Sequence, residues 1–245
     1  MTLSLASLNL HAGLDATGRP YAVADAIAGL GADVVVVQEN WRPDGQRSLA
    51  EQAAARCGYA AYAEIDVIKG RTRTQLGVAA DPADGETGAW GLAIMSRLPW
   101  RALATLPLGA APGDVVGERR ALLAEIPTDD GVLRVAGVHL THRLVHGPAQ
   151  LRRLLAGLAR SPLPTVVAGD FNMCRPAIHL ARPYRTTARG RTWPAARPVA
   201  QIDHILAGPG VTARDAAPAP AVGSDHLPVR ATLTLTVKTA PVMSH

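Results

Sequence analysis

The middle of the chain is a run of short apolar segments, and this feature restricts the possible folds more than any other. Segments of this length that end at Gly, Pro or Asp are typical of strands. They predict strands at residues 76–80, 91–96, 101–106, 121–126 and 132–139. Helix end signals and periodic apolar residues predict helices at 22–30, 47–57 and 148–160. Further strands are predicted at 3–10, 34–37, 165–170, 202–206 and 227–237.

Strands and helices do not alternate regularly enough along this chain for a single doubly wound sheet. Two packed sheets with helices outside them are the fold that these elements favour. The chain has no Gly-x-Ser-x-Gly elbow, no Walker loop and no Gly-x-Gly-x-x-Gly fingerprint. A serine hydrolase of the elbow type and a P-loop enzyme are therefore disfavoured.

Length and composition are those of an ordinary globular protein. The chain has 245 residues, of which 48% are hydrophobic and 18% charged, which excludes disordered and collagen-like proteins. We predict one domain over residues 1–237, followed by a frayed tail at 238–245. Cys57 and Cys174 match neither a zinc-ligand spacing nor a disulfide framework, so two free thiols are expected.

No segment has the sequence properties of a membrane span or a leader peptide. No apolar run approaches the roughly 18 residues that a span requires. The amino-terminal segment lacks a basic start, and Ser4, Ser7 and Asn9 interrupt its apolar residues. A cytoplasmic location, with no integral membrane segment and no obligate protein partner, is the expectation.

Polar clusters stand where predicted strands begin or end, at residue 9 and at residues 38–39, 139–142, 169–172, 201–204 and 224–226. Polar groups beside buried strands cost free energy unless they are paired or used. The oxygen donors in these clusters are Asn9, Glu39, Asp170, Asn172 and Asp225. Such donors suit Mg²⁺ or Mn²⁺ better than zinc. His139 and His226 are candidates for acid–base chemistry or for contacts with an oxyanion.

Alternation along a strand sorts the members of these clusters. Asp170 and Asn172 are predicted to face one site, while Phe171 points into the core. Asp203 and His204 are predicted to face opposite ways, so only one of them reaches a site on one face.

The same rule places His139 and Thr141 on one face of their strand and Leu140 and His142 on the other. Asp225 and His226 also fall on opposite faces if they are extended, whereas a turn would let both converge on one site.

Seven motifs span nearly the whole chain. They are Ser7-Leu-Asn9, Val37-Gln-Glu39, the segment from Gly91 to Pro99, Val138-His-Leu-Thr-His142, Gly169-Asp-Phe-Asn172, Gln201-Ile-Asp-His204 and Gly223-Ser-Asp-His226-Leu-Pro228. In this order they resemble the motifs of the endonuclease/exonuclease/phosphatase superfamily, the DNase-I-like metal-dependent phosphohydrolases. The resemblance implies an α/β four-layer sandwich, in which two packed mixed β-sheets are flanked by helices. It also implies Mg²⁺ dependence and hydrolysis of a phosphoester.

The resemblance also implies roles for the metal-site residues. Glu39 resembles the principal metal carboxylate of the family, Asn9 the amide beside it, and Asp225 a further metal-site carboxylate. The implied cofactor is Mg²⁺ or Mn²⁺.

For the reaction itself, the resemblance implies five catalytic residues. Asp170 resembles the residue that orients or deprotonates the attacking water, and Asn172 the amide that holds the phosphate. His226 resembles the histidine at the scissile phosphate, and Asp203 the carboxylate that orients it. His139 matches the other active-site histidine of the family. Either Asp170 or His226 can serve as the base on this reading.

Two positions depart from the family pattern. Many members carry Asn where this chain has Leu92. In nuclease members, a Glu that pairs with the His139-type histidine would fall near Trp90, which leaves the role of His139 open. His11, His142 and His204 are expected to be structural or peripheral.

One segment carries the positive charge of the chain. Residues 172–201 contain six arginines and no acid, while the whole chain has a formal charge of +5, so the remainder is close to neutral. Such a segment indicates an anionic ligand, although a solvated loop is the plainer alternative. The candidate substrate contacts are Arg185, Arg189, Arg191 and Trp193 in this segment and Arg120 outside it.

These observations favour a Mg²⁺-dependent phosphodiesterase that acts on an anionic substrate, a nuclease being one such enzyme. The alternative is a phosphatase or phosphodiesterase that acts on a small molecule or lipid head group, such as an inositol phosphate or sphingomyelin. Residues 110–114 are too short and polar for the apolar insertion loop expected of a lipid enzyme. A non-catalytic binding module is disfavoured because Glu39, Asp170 and His226 are all present.

Overall fold

Two six-stranded sheets form the centre of the computed structural model, which describes residues 2–78 and 85–236. The first sheet has the order β11-β12-β1-β2-β4-β3. Its strands are β1 (Thr2–Asn9), β2 (Val34–Pro43), β3 (Ala61–Thr72), β4 (Thr87–Ser96), β11 (Val211–Pro218) and β12 (Val229–Leu235). β1 and β2 are parallel, and the other neighbours in this sheet are antiparallel.

The second sheet has the order β5-β6-β7-β8-β10-β9. Its strands are β5 (Ala102–Ala110), β6 (Glu118–Thr128), β7 (Gly131–His139), β8 (Thr165–Asp170), β9 (Arg185–Thr186) and β10 (Asp203–Ala207). β7 and β8 are parallel, and the other pairs are antiparallel.

Helices cover the outer face of each sheet. α1 (Val23–Leu30) and α2 (Leu49–Arg56) pack on the first sheet, and α3 (His146–Ala159) packs on the second. A shorter helix, α4 (Arg175–Ile178), follows β8. The resulting layers are helix, sheet, sheet and helix, which confirms the predicted four-layer α/β sandwich.

The continuous apolar run of β2 is explained by burial of the strand on both of its faces. Val34 and Val36 point into the core between the two sheets, where they pack with Val135 of the second sheet. Val35 and Val37 point the other way, toward α1 and α2. A strand that is buried on both faces cannot alternate with polar residues.

The predicted helices and most predicted strands are present, with ends shifted by a few residues. The strand predicted at 76–80 is wrong wherever the structure describes it, because Thr74–Leu76 is a 3-10 turn. Residues 79–80 and the tail predicted at 238–245 lie outside the described residues. Strands β3, β9 and β11 were not predicted.

Cys57 and Cys174 are free, as expected. Among residues 2–78 and 85–236, no helix has both the length and the apolar character needed to cross a membrane.

Candidate active site

One pocket lies at the edge of the sandwich where the ends of β1, β7 and β8 meet the start of β10 and the middle of β2. Its volume is about 400 Å³, within the range of small-ligand sites. The predicted site residues that line it are Glu39, His139, Asp170, Asn172, Trp193, Asp225 and His226. Asn9 lies directly behind Glu39 and is fully buried.

A β-bulge directs Glu39 into this pocket. The pairing of β2 with β4 passes from Val37 opposite Ala93 to Asn40 opposite Gly91, which leaves two residues of β2 facing one of β4. Glu39 adopts a left-handed φ of 52° at this point. Bulges of this kind turn a side chain away from the direction that the pleat would give it. Non-glycine residues in such strained conformations are frequent at functional sites.

Asn9 connects two carboxylates across the sheets. Its Nδ2 donates to Glu39 Oε1 at 2.9 Å and to Asp170 Oδ2 at 3.2 Å. The backbone nitrogen of His11 donates to Asn9 Oδ1 at 2.9 Å. The amide therefore holds the end of β1 in a fixed position between Glu39 in the middle of β2 and Asp170 at the end of β8.

The turn after β8 places Asp170 and Asn172 in the site and buries Phe171 in the core, as the alternation predicts. The backbone nitrogen of Asn172 donates to Asp170 Oδ1 at 2.8 Å, and Asn172 has a φ of 50°. Gly169 is required just before this turn, because a Cβ there would lie 1.9 Å from the carbonyl oxygen of Val138. The glycine thus allows β8 to approach β7 closely where the two strands deliver their catalytic candidates.

Burial, reinforced by the negative charge of Asp203, raises the pKa of Asp170 to about 7. Asp170 Oδ2 lies 3.5 Å from His139 Nε2 and 3.9 Å from His226 Nε2. The carboxyl group is therefore placed to exchange a proton with a molecule bound between the two histidines.

Asp203 and His226 form a buried pair. His226 Nδ1 lies 3.1 and 3.0 Å from the two carboxylate oxygens of Asp203. Burial alone would lower the pKa of His226, but the negative charge of Asp203 outweighs it and raises the pKa to about 10. The Nε2 atom of His226 faces the pocket, 4.0 Å from Asp225 Oδ1. A carboxylate–histidine pair of this kind fixes the ring and favours its charged form.

His204 faces away from the pocket, as predicted from its position next to Asp203. Its Nε2 lies 2.9 Å from the carbonyl oxygen of Met173, and its ring makes an edge contact with Phe171. Asp225 and His226, by contrast, both reach the site, because residues 223–226 form bends rather than a strand. The turn alternative for this pair is therefore the one that the structure adopts.

His139 has an aromatic neighbour instead of a carboxylate at its outer side. The ring of Trp90 packs against it with centroids 5.1 Å apart, and the guanidinium of Arg119 lies over Trp90. His139 Nε2 lies 3.2 Å from Asn172 Nδ2, while His139 Nδ1 is buried without a hydrogen-bond partner. Burial, followed by the positive charge of Arg119, lowers the pKa of His139 well below its ordinary value. Its ring is therefore neutral at neutral pH.

Asp225 lies at the opposite wall. Trp193 Nε1 donates to Asp225 Oδ2 at 3.2 Å, and the Trp193 ring lies 6.4 Å from that of His226. Asp225 Oδ1 is buried and has no hydrogen-bond partner, although His11 Nδ1 approaches to 3.7 Å. A buried carboxylate oxygen without a donor is satisfied when a cation or a bound water lies beside it.

The donors in the pocket fit a divalent metal. Glu39, His139 and Asp170 each offer an atom within 4.8 Å of the others, and Asp170, Asp203 and His226 form a second such group. Asp225 is in the same pocket but outside both groups. The carboxylate oxygens and the orphaned Asp225 Oδ1 are the hard ligands that Mg²⁺ and Mn²⁺ prefer.

The structure does not bring every predicted substrate residue to this pocket. Arg120 is exposed and does not line it; its neighbour Arg119 does, because alternation along β6 turns Arg119 inward. Arg185 and Arg189 line a different cavity, and Arg191 is exposed outside both. Of the four substrate contacts predicted in the arginine-rich segment, Trp193 lies in the pocket and the three arginines do not.

Several residues that line the pocket were not predicted to do so, among them Arg119, His11 and His142. Arg119 could have been found from its spacing of two residues from buried Ala121. His11 and His142 line the pocket although both were expected to be peripheral. His142 does so because β7 ends at His139, so the alternation does not extend to it.

Comparison with protein-family models finds a match over residues 6–226 to the model described as the Endonuclease/Exonuclease/phosphatase family. No curated protein matches the chain.

Solved structures of the same fold are numerous. An endonuclease/exonuclease/phosphatase from Beutenbergia cavernae DSM 12333 has a TM-score of 0.75 at 22% identity, covering 98% of this chain and 73% of its own. A mannosyl-6-phosphatase from Bacteroides thetaiotaomicron VPI-5482 has a TM-score of 0.64 at 16% identity, covering 95% and 100%. A humanized D. rerio TDP2 has a TM-score of 0.65 at 19% identity, covering 95% and 99%. At these identities the likeness is one of fold.

Proposed function

The chain belongs to the endonuclease/exonuclease/phosphatase family, a family of phosphoester hydrolases, and we propose that it is a Mg²⁺- or Mn²⁺-dependent phosphodiesterase. The observation that carries the proposal is the Asp203–His226 pair, whose free ring nitrogen faces Asp170 across the pocket that also holds Glu39. A buried acid, a charged histidine and hard oxygen donors are the groups that hydrolysis of an anionic ester requires.

Glu39 and Asp225, with Asn9 behind Glu39, are the residues that would hold the metal. When bound there, the metal would neutralise the phosphoryl oxygens and so reduce their repulsion of an incoming nucleophile. Asn9 keeps Glu39 in position through its 2.9 Å hydrogen bond.

Asp170 orients the attacking water and accepts its proton. Its Oδ2 lies at the floor of the pocket between His139 and His226, and its Oδ1 is already held by the backbone of Asn172. Oδ2, which also accepts a hydrogen bond from Asn9 Nδ2 at 3.2 Å, is the oxygen that faces the pocket and would act on water.

His226 acts on the phosphate rather than on the water. Because its Nδ1 is bonded to Asp203, the proton on Nε2 points into the pocket, where it stabilises a phosphoryl oxygen as negative charge builds up. Asn172 supplies a neutral amide beside His139 for the same purpose.

The test of the proposal is hydrolysis of a panel of phosphoesters with Mg²⁺ or Mn²⁺. The panel contains bis-p-nitrophenyl phosphate, p-nitrophenyl phosphate, duplex DNA, RNA, inositol phosphates and sphingomyelin. Turnover of diesters in preference to the monoester supports the proposal. Turnover of the monoester alone would make the protein a phosphatase.

A second candidate, a phosphodiesterase that acts on a lipid head group, is favoured by one observation at the mouth of the pocket. Val115 is 58% exposed, and Leu144 and Val145 are 86% and 79% exposed. Arg143 donates to the carbonyl oxygen of Gly113, which ties the two loops together. The apolar residues expected of a lipid enzyme are absent at 110–114, and the exposed apolar side chains that support this candidate lie just beyond that segment, on the paired loops.

The lipid candidate predicts a surface-specific defect. In the double variant Leu144→Ser, Val145→Ser, hydrolysis of sphingomyelin in vesicles should fall at least about tenfold, because two exposed apolar side chains outside the pocket lining no longer enter the lipid surface. Hydrolysis of bis-p-nitrophenyl phosphate in solution should stay unchanged. Equal rates of wild type and variant on vesicles would exclude this candidate.

A further inference from the structure

A second cavity lies against the arginine-rich segment, on the outer side of the second sheet. Four arginines line it. Arg175 belongs to α4, Arg182 to the loop after it, Arg185 to β9, and Arg189 to the residues that follow β9. His179 and Tyr184 also contribute to its wall. At about 780 Å³ it is larger than the catalytic pocket.

No acidic residue lines this cavity. Within residues 2–78 and 85–236, none of its four arginines makes an ion pair or donates a side-chain hydrogen bond. Arg175 Nε is buried and has no hydrogen-bond partner. Other arginines in the chain are satisfied, as where Arg153 donates to the carbonyl oxygen of Leu108.

Four guanidinium groups around one cavity repel each other, and arginine cannot relieve this by losing its proton. An anion in the cavity would turn this repulsion into attraction. Phosphate fits best, because its oxygens match the paired N–H donors of guanidinium groups.

The cavity is separate from the catalytic pocket. In β10, Asp203 faces the catalytic side, whereas His204 and Leu206 face the outer layer. Arg185 pairs with Ala207, four residues along β10 from Asp203. At about 3.3 Å per residue, this places the backbone of Arg185 about 13 Å from the catalytic end of the strand.

We propose that this arginine cavity binds a phosphate group that is not the one being hydrolysed. The phosphate can belong to a distal part of an extended substrate, a role that rests on the proposed function, or it can be free inorganic phosphate. A nucleic-acid strand carries a phosphate at every nucleotide, so a strand whose scissile phosphate lies in the catalytic pocket has further phosphates to offer to a site outside that pocket.

The first arm of the test measures binding alone. The melting temperature of the whole chain is followed against inorganic phosphate in EDTA at constant ionic strength, where the catalytic pocket holds no metal. Phosphate should stabilise the wild type. In Arg185→Gln, Arg189→Gln the apparent affinity should fall at least about tenfold, as expected for loss of charge-assisted hydrogen bonds.

The matched control is Arg191→Gln, Arg197→Gln, which removes the same charge from the same segment but outside the cavity. It should keep the stabilisation by phosphate. An absence of stabilisation in the wild type, or its persistence in the Arg185/Arg189 variant, would overturn the proposal. Because this arm needs no turnover, it decides the matter even if the proposed phosphodiesterase activity is not found.

The second arm identifies the source of the phosphate. If it is distal substrate phosphate, the Arg185/Arg189 variant should raise KM for an oligonucleotide at least about tenfold. Its kcat, and its KM for bis-p-nitrophenyl phosphate, should not change. If the ligand is free phosphate, both KM values should stay the same although the thermal stabilisation is lost. Either result supports the cavity as a phosphate site and assigns its ligand.

Discussion

At the scale of single residues, the division of labour between two faces of β10 is the most informative feature. Asp203 holds His226 in the pocket, and His204, its neighbour in sequence, holds the carbonyl of Met173 on the other side. This division was predictable from the period of a strand, as were the common face of Asp170 and Asn172 and the burial of Phe171.

We expect Asp170→Asn and His226→Ala each to lower kcat on a phosphodiester by at least about 100-fold, because each removes a group that acts on a proton or on developing charge. The measurement is steady-state hydrolysis of bis-p-nitrophenyl phosphate with Mg²⁺, with circular dichroism to check folding.

The matched control for this prediction is His146→Ala at the start of α3, outside the pocket. His204 is less suitable, because its ring is buried and its removal would leave the carbonyl of Met173 without its partner. A loss of turnover in the His146 variant as large as that in the His226 variant would contradict the assigned roles.

Other residue-scale features could not be read from the sequence. The left-handed conformation of Glu39 depends on the pairing of β2 with β4, which is a contact between distant segments. Trp90 packs on His139 and Arg119 lies over Trp90, and no local pattern encodes this arrangement. The order of the motifs predicted several of the residues that meet in the pocket, but not the neighbours that contact them.

At the scale of secondary-structure elements, buried strands were predicted better than edge strands. β2 and β8 read as continuous apolar runs because both of their faces are covered. β3 is half-buried along most of its length, and it alternates Ala63, Ile65 and Val67 with polar residues. That alternation is a strand signal that could have been used. β9, with two residues, is too short to give one.

One buried ion pair joins β6 to the loop before it and supports the wall of the pocket. Arg119 donates hydrogen bonds to both carboxylate oxygens of Asp114, and both side chains are at most 4% exposed. Burial alone would raise the pKa of the Asp114 carboxyl, but the positive charge of Arg119 outweighs it and lowers the pKa.

We expect Asp114→Asn to reduce the free energy of unfolding by about 3–5 kcal/mol at pH 7, since it leaves a buried guanidinium without its partner. A carboxyl whose pKa is lowered by folding stabilises the protein above its ordinary pKa of about 3.9 and loses this effect as the pH falls. The difference between wild type and variant should therefore shrink below about pH 4.

Urea unfolding at pH 7 and at pH 3.5 measures this difference. A difference that stays constant between the two pH values would show that the charge of Asp114 is not the cause of the stabilisation. Ser48→Ala at the start of α2, which removes an N-cap remote from this pair, provides a reference variant whose effect should not depend on pH.

At the scale of the whole molecule, each sheet buries one face against the other sheet and has its outer face covered by helices, which gives the four layers. Polar residues at the ends of β1, β7 and β8 and in the middle of β2 gather at one edge of this sandwich, and the arginine-rich segment passes along its outer side. The sequence predicted the architecture through the motifs it shares with the family. It did not predict that the arginines would surround a cavity of their own, because their position depends on how residues 175–189 pack against α3 and β10.

The most direct test of the account is the release of p-nitrophenol from bis-p-nitrophenyl phosphate by the wild type, measured in excess EDTA and again after addition of Mg²⁺ or Mn²⁺. Because Glu39, Asn9 and Asp225 offer hard oxygen donors in one pocket, and such donors suit a divalent cation, we predict no turnover in EDTA and full recovery with either ion. Undiminished turnover in EDTA would contradict the central claim that this is a metal-dependent phosphodiesterase.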